Sequence, residues 1–195
     1  MNLANRLSLL RIILAPLFFA VYFLSMQSIC NAVLTVSLLW SIFIIAEITD
    51  MLDGMAARRL KQTTDFGKLI DPFADTLMQI TCFLCFVIDG IIPAALFLVV
   101  LYREFGILFI RNLMLKKGIA LGARISGKIK TVTYITAASL ILFYVSLRRL
   151  GIFDSLQPAL RIASIAIFYL SVLFSVLSFL DYVIVYRRAS GQNHE

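Results

Sequence analysis

The fold is decided by residues 32–59, AVLTVSLLWSIFIIAEITDMLDGMAARR, which begin as an apolar run and end in charged residues. About 20 apolar residues in a helix span the roughly 30 Å hydrocarbon core of a bilayer, so this run is long enough to cross a membrane. Charged side chains at the end of such a helix are costly to place there. The stretch therefore predicts a transmembrane helix with a functional site at its polar end.

Further apolar runs predict that the whole chain is a membrane bundle. Of its 195 residues, 61% are hydrophobic and only 15% are charged, so a soluble domain would lack a polar coat. The sequence predicts an all-α integral membrane protein, a single bundle of six transmembrane helices in one domain over residues 1–195. The predicted spans are, approximately, residues 9–28, 32–57, 69–88, 91–115, 125–147 and 159–185.

The basic residues predict the orientation of this bundle. The net charge of +7 by itself invites a nucleic-acid partner, but most Lys and Arg side chains fall in segments that share one side of the membrane. Cytoplasmic loops carry such an excess, so both termini are predicted to be cytoplasmic. The expected location is the cell inner (cytoplasmic) membrane, with the active site facing the cytoplasm. This basic side would attract anionic lipid headgroups, and no nucleic acid is expected.

A group of polar and small residues at the ends of the second and third predicted helices is spaced to share helix faces. Its members are Asp50, Asp53, Gly54, Ala57, Arg58, Gly67, Asp71 and Asp75. Offsets of three, four, seven and eight residues return to one face, so the first five form one stripe and the last three another. If the helices are neighbours, the four carboxylates converge, and their repulsion requires compensating cations. Hard oxygen ligands suit Mg²⁺ or Mn²⁺.

This pattern resembles the signature of the CDP-alcohol phosphatidyltransferase family, and every signature position is matched. The resemblance implies six transmembrane helices, a homodimer in the membrane, and a reaction that joins a CDP-linked donor to a small alcohol and releases CMP. It implies a two-metal site of Mg²⁺ or Mn²⁺ on Asp50, Asp53, Asp71 and Asp75, with Asp75 also the catalytic base. It assigns nucleotide and pyrophosphate binding to Asp50, Gly54, Ala57, Arg58 and Gly67. Small residues here also permit close helix packing, so both interpretations stay open.

Other segments resemble one branch of this family, the bacterial phosphatidylglycerophosphate synthases. These segments contain Asn5, Ser8 and Arg11, then Arg103-Glu104-Phe105 with Arg111, and finally residues 127–131. The resemblance implies transfer of a phosphatidyl group from CDP-diacylglycerol to glycerol 3-phosphate. An acceptor that carries a phosphate needs cations of its own, and the candidates are Arg103, Arg111, Lys128 and Lys130.

Three alternatives remain open from the sequence. Thr76 stands where those synthases usually have Lys, which leaves choline, inositol or serine as acceptors, or CDP-choline as a donor to diacylglycerol. Glu104 could neutralise Arg103, and the other cations could anchor the inner membrane face. Lys128 and Lys130 are two residues apart and would diverge on a helix, which weakens the assignment of at least one. A cation transporter would also place acids in the membrane, but Arg58 beside them would repel a cation.

Overall fold

A computed structural model describes residues 3–27, 29–60, 65–116 and 125–191 of the chain. Side chains are described for these residues except in the ranges 3–4, 53–60, 65–66, 68, 116 and 188–191. The described residues form six α-helices and no β-strand, which confirms the predicted all-α bundle. The helices are α1 (Leu3–Met26), α2 (Ala32–Leu60), α3 (Asp65–Ile88), α4 (Ala94–Lys116), α5 (Ile125–Leu150) and α6 (Gln157–Gly191).

Five of these helices, all except α4, are long and apolar enough to cross a membrane, and the protein is a multi-pass membrane protein. Helix α4 has 23 residues, a sufficient length. However, every stretch of α4 that could span a bilayer contains the three charged residues Arg103, Glu104 and Arg111. Arg103 and Glu104 are buried inside the bundle, which is where ionisable residues of a membrane helix are tolerated. Average hydropathy therefore understates how well α4 suits a membrane.

Most helices extend beyond the predicted apolar runs. Helix α1 begins at Leu3 instead of residue 9, and α6 ends at Gly191 instead of residue 185. The apolar run marks the part of a helix that meets hydrocarbon, whereas backbone hydrogen bonding continues through the polar interface. As a consequence, Arg11 and Asp71 lie well inside α1 and α3, and both side chains are carried by regular helix.

The helices pack in a way that places α3 near the centre of the bundle. Helix α1 packs against both α2 and α3, while α5 and α4 both pack against α6. In the core, the ring of Phe83 from α3 meets the rings of Tyr134 from α5 and Phe168 from α6 edge-on, with centroids 5.2 and 5.1 Å apart. Such edge-to-face pairs add to the packing energy of buried aromatic residues. The centre of the bundle therefore holds α3 against α5 and α6.

One end of the bundle is joined by a charged cluster around Asp89, the residue that follows α3. Asp89 Oδ2 accepts a hydrogen bond from the Tyr22 hydroxyl at 2.8 Å and from Arg149 Nη2 at 3.0 Å, and it also pairs with Arg148. The Asp89 side chain is only 7% exposed. This single carboxylate connects the ends of α1, α3 and α5.

Replacing Asp89 with Asn should lower the thermal stability of the protein in detergent, because two arginines would then face a neutral amide. Breaking a buried ion pair by changing one partner costs about 3 kcal/mol or more. Thermal unfolding of the purified variant measures the effect. Asp154→Asn is the matched control, since Asp154 is exposed and accepts a local hydrogen bond from Gln157. Equal unfolding temperatures for the two variants would contradict the role given to Asp89.

Candidate active site

Three carboxylates meet at the other end of the bundle, on the polar ends of α2 and α3. Asp50 belongs to α2, whereas Asp71 and Asp75 lie one turn apart on the same face of α3. One oxygen from each lies within 4.8 Å of the others, a spacing at which a single metal ion could be shared. Their side chains are 40%, 41% and 34% exposed, respectively. The predicted convergence of acids from two helices is therefore present for three of the four.

The rest of the predicted motif is described only in part. The side chains of Asp53, Ala57 and Arg58 are not described, and for Gly54 only the helical backbone is described. Helix α2 is continuous to Leu60, so the helical spacing on which their shared face was predicted is present in the backbone. Gly67 lies on α3 and is partly buried, one turn before Asp71.

Arg11 of α1 contacts all three described carboxylates. Its Nη1 donates to Asp50 Oδ1 at 2.7 Å and pairs with Asp75 Oδ1, while its Nη2 donates to Asp71 Oδ1 at 2.6 Å. The hydroxyl of Ser8, one turn earlier, donates to Asp71 Oδ1 at 3.3 Å. No role in the site was predicted for Arg11 from the sequence. An arginine inside an apolar run, one helical turn after a serine, was the signal that could have indicated a buried charge partner.

The donor set fits a divalent metal. Carboxylate oxygens are the hard ligands that Mg²⁺ and Mn²⁺ prefer, and several of them are supplied here within a short distance. The three carboxylates outnumber the single guanidinium that contacts them, so the cluster retains negative charge. A bound cation would offset that charge.

A cavity of about 740 Å³ connects the acids with the predicted acceptor residues. Asp50 and Asp75 line it together with all four predicted cations, which are Arg103, Arg111, Lys128 and Lys130. Thr76, Gln79, Glu104, Gly127 and Tyr182 are also in its wall. Acids and cations separated by up to 80 positions in the sequence thus face one space and form parts of the same site.

Arg103 is held by other groups of the protein. Its Nη1 donates to Glu104 Oε1 at 2.7 Å, its Nε to the Ser175 carbonyl at 3.1 Å, and its Nη2 to Ser178 Oγ at 3.0 Å. The contact between Glu104 and Arg103, which the alternative interpretation of the sequence requires, is therefore present. Arg103 is buried, and these three contacts fix its position between α4 and α6.

Lys130 shares the same carboxylate. Its Nζ lies 2.9 Å from Glu104 Oε1, 3.0 Å from Gln79 Oε1 and 4.2 Å from the centre of the Tyr134 ring. The lysine is buried, whereas Lys128 is exposed, as their divergent spacing on a helix predicts. Nevertheless, both line the cavity. Gln79, for which no role was predicted from the sequence, links Lys130 to the helix that carries Asp75.

Arg111 has fewer described contacts than Arg103 or Lys130. Its Nη2 donates to the Tyr182 hydroxyl at 3.2 Å, and its guanidinium lies 5.7 Å from the centre of that ring. The aromatic contact leaves most of the guanidinium donors available to a ligand, because a guanidinium carries five N–H groups. Of the two α4 cations whose side chains are described, Arg111 is thus better placed than Arg103 to receive an anion.

A close approach of α4 and α6 makes the Arg103 contacts possible. A Cβ added to Gly106 would lie 2.9 Å from the ring of Phe179, closer than real side chains come. Without a side chain at this position, α6 can pack near enough for Ser175 and Ser178 to meet Arg103. The sequence did not indicate this requirement, since a single glycine in an apolar run has no distinctive spacing.

The fold and the site together define a class, that of integral membrane enzymes whose clustered acids share a cavity with several basic residues. Comparison with known proteins gives the family. The family model described as CDP-alcohol phosphatidyltransferase matches residues 1–177, and the chain belongs to this family. The resemblance stated from the motif is confirmed.

Two relatives are similar over most of their length. A protein of Treponema pallidum is 34% identical, with 94% of this chain and 88% of the relative covered. A protein of Bacillus subtilis is 35% identical, with 73% and 77% covered. Both are named CDP-diacylglycerol--glycerol-3-phosphate 3-phosphatidyltransferase. Family membership makes the chain a phosphatidyltransferase that acts on a CDP-linked lipid and an alcohol, in a family that generally uses a divalent metal.

Proposed function

We propose that this protein transfers a phosphatidyl group from CDP-diacylglycerol to glycerol 3-phosphate, which yields phosphatidylglycerophosphate and CMP. The observation that carries the proposal is the single cavity of about 740 Å³ whose wall contains both acids and cations. A pyrophosphate donor needs the acids and their metal, whereas a phosphorylated acceptor needs cations that the donor does not occupy. The names of the two relatives support the same pair of substrates.

In this proposal the acidic residues bind Mg²⁺ or Mn²⁺ in a two-metal site. The ligands would be Asp50, Asp53, Asp71 and Asp75, three of which are close enough in the described structure to share an ion. The bound ions would neutralise charge on the pyrophosphate and on the departing CMP. Asp50, Gly54, Ala57, Arg58 and Gly67 would contact the nucleotide and pyrophosphate, and the planar fork of Arg58 suits such an anion.

Asp75 would act as the general base. It lies in the cavity wall near the basic residues, so an acceptor whose phosphate rests among the cations would bring its hydroxyl toward this carboxylate. The hydroxyl oxygen would form a bond to the β-phosphorus of the donor, the bond from that phosphorus to the CMP oxygen would break, and the proton would pass to Asp75. As a metal ligand, Asp75 would also keep the phosphate of the donor aligned with the hydroxyl of the acceptor.

The charge balance of the cavity favours a phosphorylated acceptor. Its wall contains four cations against Glu104, apart from the acids of the metal site. Glu104 already contacts Arg103 and Lys130, so Arg111 and Lys128 supply the charge that remains available. Thr76 adds no charge there, but it also leaves these cations in place. A neutral alcohol would gain little from such a wall.

The proposal also includes the domain organisation, the membrane location and the oligomeric state of the enzyme. The chain would form one domain over residues 1–195, lie in the cytoplasmic membrane with both termini in the cytoplasm, and work there as a homodimer. Most lysines and arginines fall on the side that carries the acidic cluster, as the positive-inside bias predicts. The nucleotide would remain in water at that face, and the acyl chains of the donor would stay among membrane lipids.

An acceptor competition assay tests this function. Purified protein in detergent with Mn²⁺ is given CDP-diacylglycerol and an equal mixture of glycerol 3-phosphate, serine, choline and inositol, and the lipid products are separated. Phosphatidylglycerophosphate should be the main product, with one CMP released per lipid formed. A different phospholipid would overturn the acceptor assignment while keeping the family reaction. In a separate reaction, lipid made from CDP-choline and diacylglycerol would overturn the donor assignment.

A further inference from the structure

We infer that Arg11 is a positioning residue for the metal ligands, because its guanidinium holds one oxygen of each carboxylate and leaves the other oxygen to face a divalent ion. The inference rests on the metal site proposed above. Arg11 lies on α1, outside the helices that carry the acidic motif. Its role would be to set the direction of three carboxylates without binding substrate.

Each of the three contacts uses one oxygen of a carboxylate. Arg11 meets Oδ1 of Asp50, Oδ1 of Asp71 and Oδ1 of Asp75. An ionised carboxylate has two acceptor oxygens, so each Oδ2 remains available after these contacts are made. Groups that hydrogen-bond to a metal ligand fix its orientation, and a planar guanidinium is well suited to several carboxylates at once.

The burial of these groups shows on which side the arginine lies. The Arg11 side chain is 2% exposed, whereas the three carboxylates are 34% to 41% exposed. Asp50 and Asp75 line the large cavity, and Arg11 is not among the described residues in its wall. Arg11 instead borders a separate space of about 20 Å³, which Asp50 and Asp75 also line. The guanidinium is therefore behind Asp50 and Asp75, and the other sides of these two carboxylates face the cavity.

The buried position of Arg11 indicates that it orients the carboxylates and does not compete with a metal ion for them. A guanidinium that occupied the position of the metal would lie on the cavity side, accessible to solvent, and the metal would have to displace it. Arg11 lies on the buried side, where it can remain in contact while a metal binds from the cavity. Its charge also reduces the mutual repulsion of the acids before metal binds, and Ser8 adds a further contact to Asp71.

The test is the affinity of the purified protein for Mn²⁺, measured from the electron paramagnetic resonance signal of free Mn²⁺. Arg11→Met should raise the dissociation constant by about 10- to 100-fold, the usual effect of losing a group that orients metal ligands. Arg11→Lys should lie between wild type and Arg11→Met, because lysine keeps the charge and loses the fork. Arg6→Met is the matched control: it removes the same charge from the exposed side of α1 and should leave the affinity unchanged.

The possible results separate the inference from the function on which it rests. If wild-type protein binds no Mn²⁺, the proposed metal site is wrong. If wild type binds Mn²⁺ and Arg11→Met binds it equally well or more tightly, the positioning role is wrong and the site stands. Size-exclusion chromatography establishes that each variant is folded. If Arg11→Met does not fold, Arg11→Lys decides the question, and unchanged affinity in that variant would overturn the inference.

Discussion

Asp75→Asn is expected to lower the rate of CMP release by about 10³-fold, the range over which a general base contributes to catalysis. The amide of Asn cannot accept the proton of the attacking hydroxyl at neutral pH. It is also a weaker metal ligand than a carboxylate. Because Asp75 lies both in the acidic cluster and in the cavity wall, the change affects both functions of the residue.

The assay should compare turnover with nucleotide binding, since the two respond differently. Asp50 and Asp71 remain in the variant, so CDP binding with Mn²⁺ present should be retained in large part. Asp181→Asn is a suitable control, because Asp181 accepts a hydrogen bond from Ser126 at 2.8 Å and is not a described part of the cavity wall. That variant should keep turnover within a few-fold of wild type. Turnover by Asp75→Asn at the control level would remove Asp75 from its role as the base.

The sequence predicted the parts of this protein that depend on local spacing. Six apolar runs gave six helices, since the length of a membrane span is set by the thickness of the bilayer. Asp71 and Asp75 share a face because they are four residues apart on a helix, and that offset holds wherever the helix lies. The meeting of Asp50 with these two required only that α2 and α3 be neighbours at their polar ends.

Contacts between distant segments could not be predicted in this way. Arg11 is 39 residues from Asp50 and 60 from Asp71, and helical periodicity carries no information across such separations. The contact from Arg103 to the carbonyl of Ser175 involves the backbone, which has no sequence signal at all. Such contacts follow from how α1 and α6 pack on the other helices, which is a property of the assembled bundle.

The sequence also left open whether Arg103 binds a phosphate or is neutralised by Glu104. The contacts divide the basic residues into two groups. Arg103 and Lys130 are buried and share Glu104, so they form a fixed wall. Arg111 and Lys128 reach the same cavity and have no described contact with an acid. The two groups should therefore respond differently to substitution.

Arg111→Gln is expected to raise the KM for glycerol 3-phosphate by about 10- to 100-fold, because one charge-assisted hydrogen bond contributes about 1.5 to 3 kcal/mol. The KM for CDP-diacylglycerol should change little, since the donor is assigned to the acidic side of the cavity. Steady-state kinetics with each substrate varied in turn measures both constants. An equal rise in the two would mean that Arg111 is not specific to the acceptor, and a rise in the donor KM alone would mean that it serves the donor instead.

Arg103→Gln is the comparison variant for Arg111→Gln, because the two substitutions should differ in their effect on thermal stability. Removing Arg103 leaves Glu104 with Lys130 alone and deprives Ser175 and Ser178 of their charged partner, so this variant should lose thermal stability as well as acceptor affinity. Among the described residues, Arg111→Gln breaks contacts with Tyr182 alone, one to its hydroxyl and one to its ring, and should unfold close to the wild-type temperature. A KM effect without a stability effect is what a ligand-binding cation produces, whereas a structural cation changes both. If both variants lost stability equally, the cations of α4 would be supports for the bundle, and the acceptor phosphate would have to be bound by Lys128 and other residues.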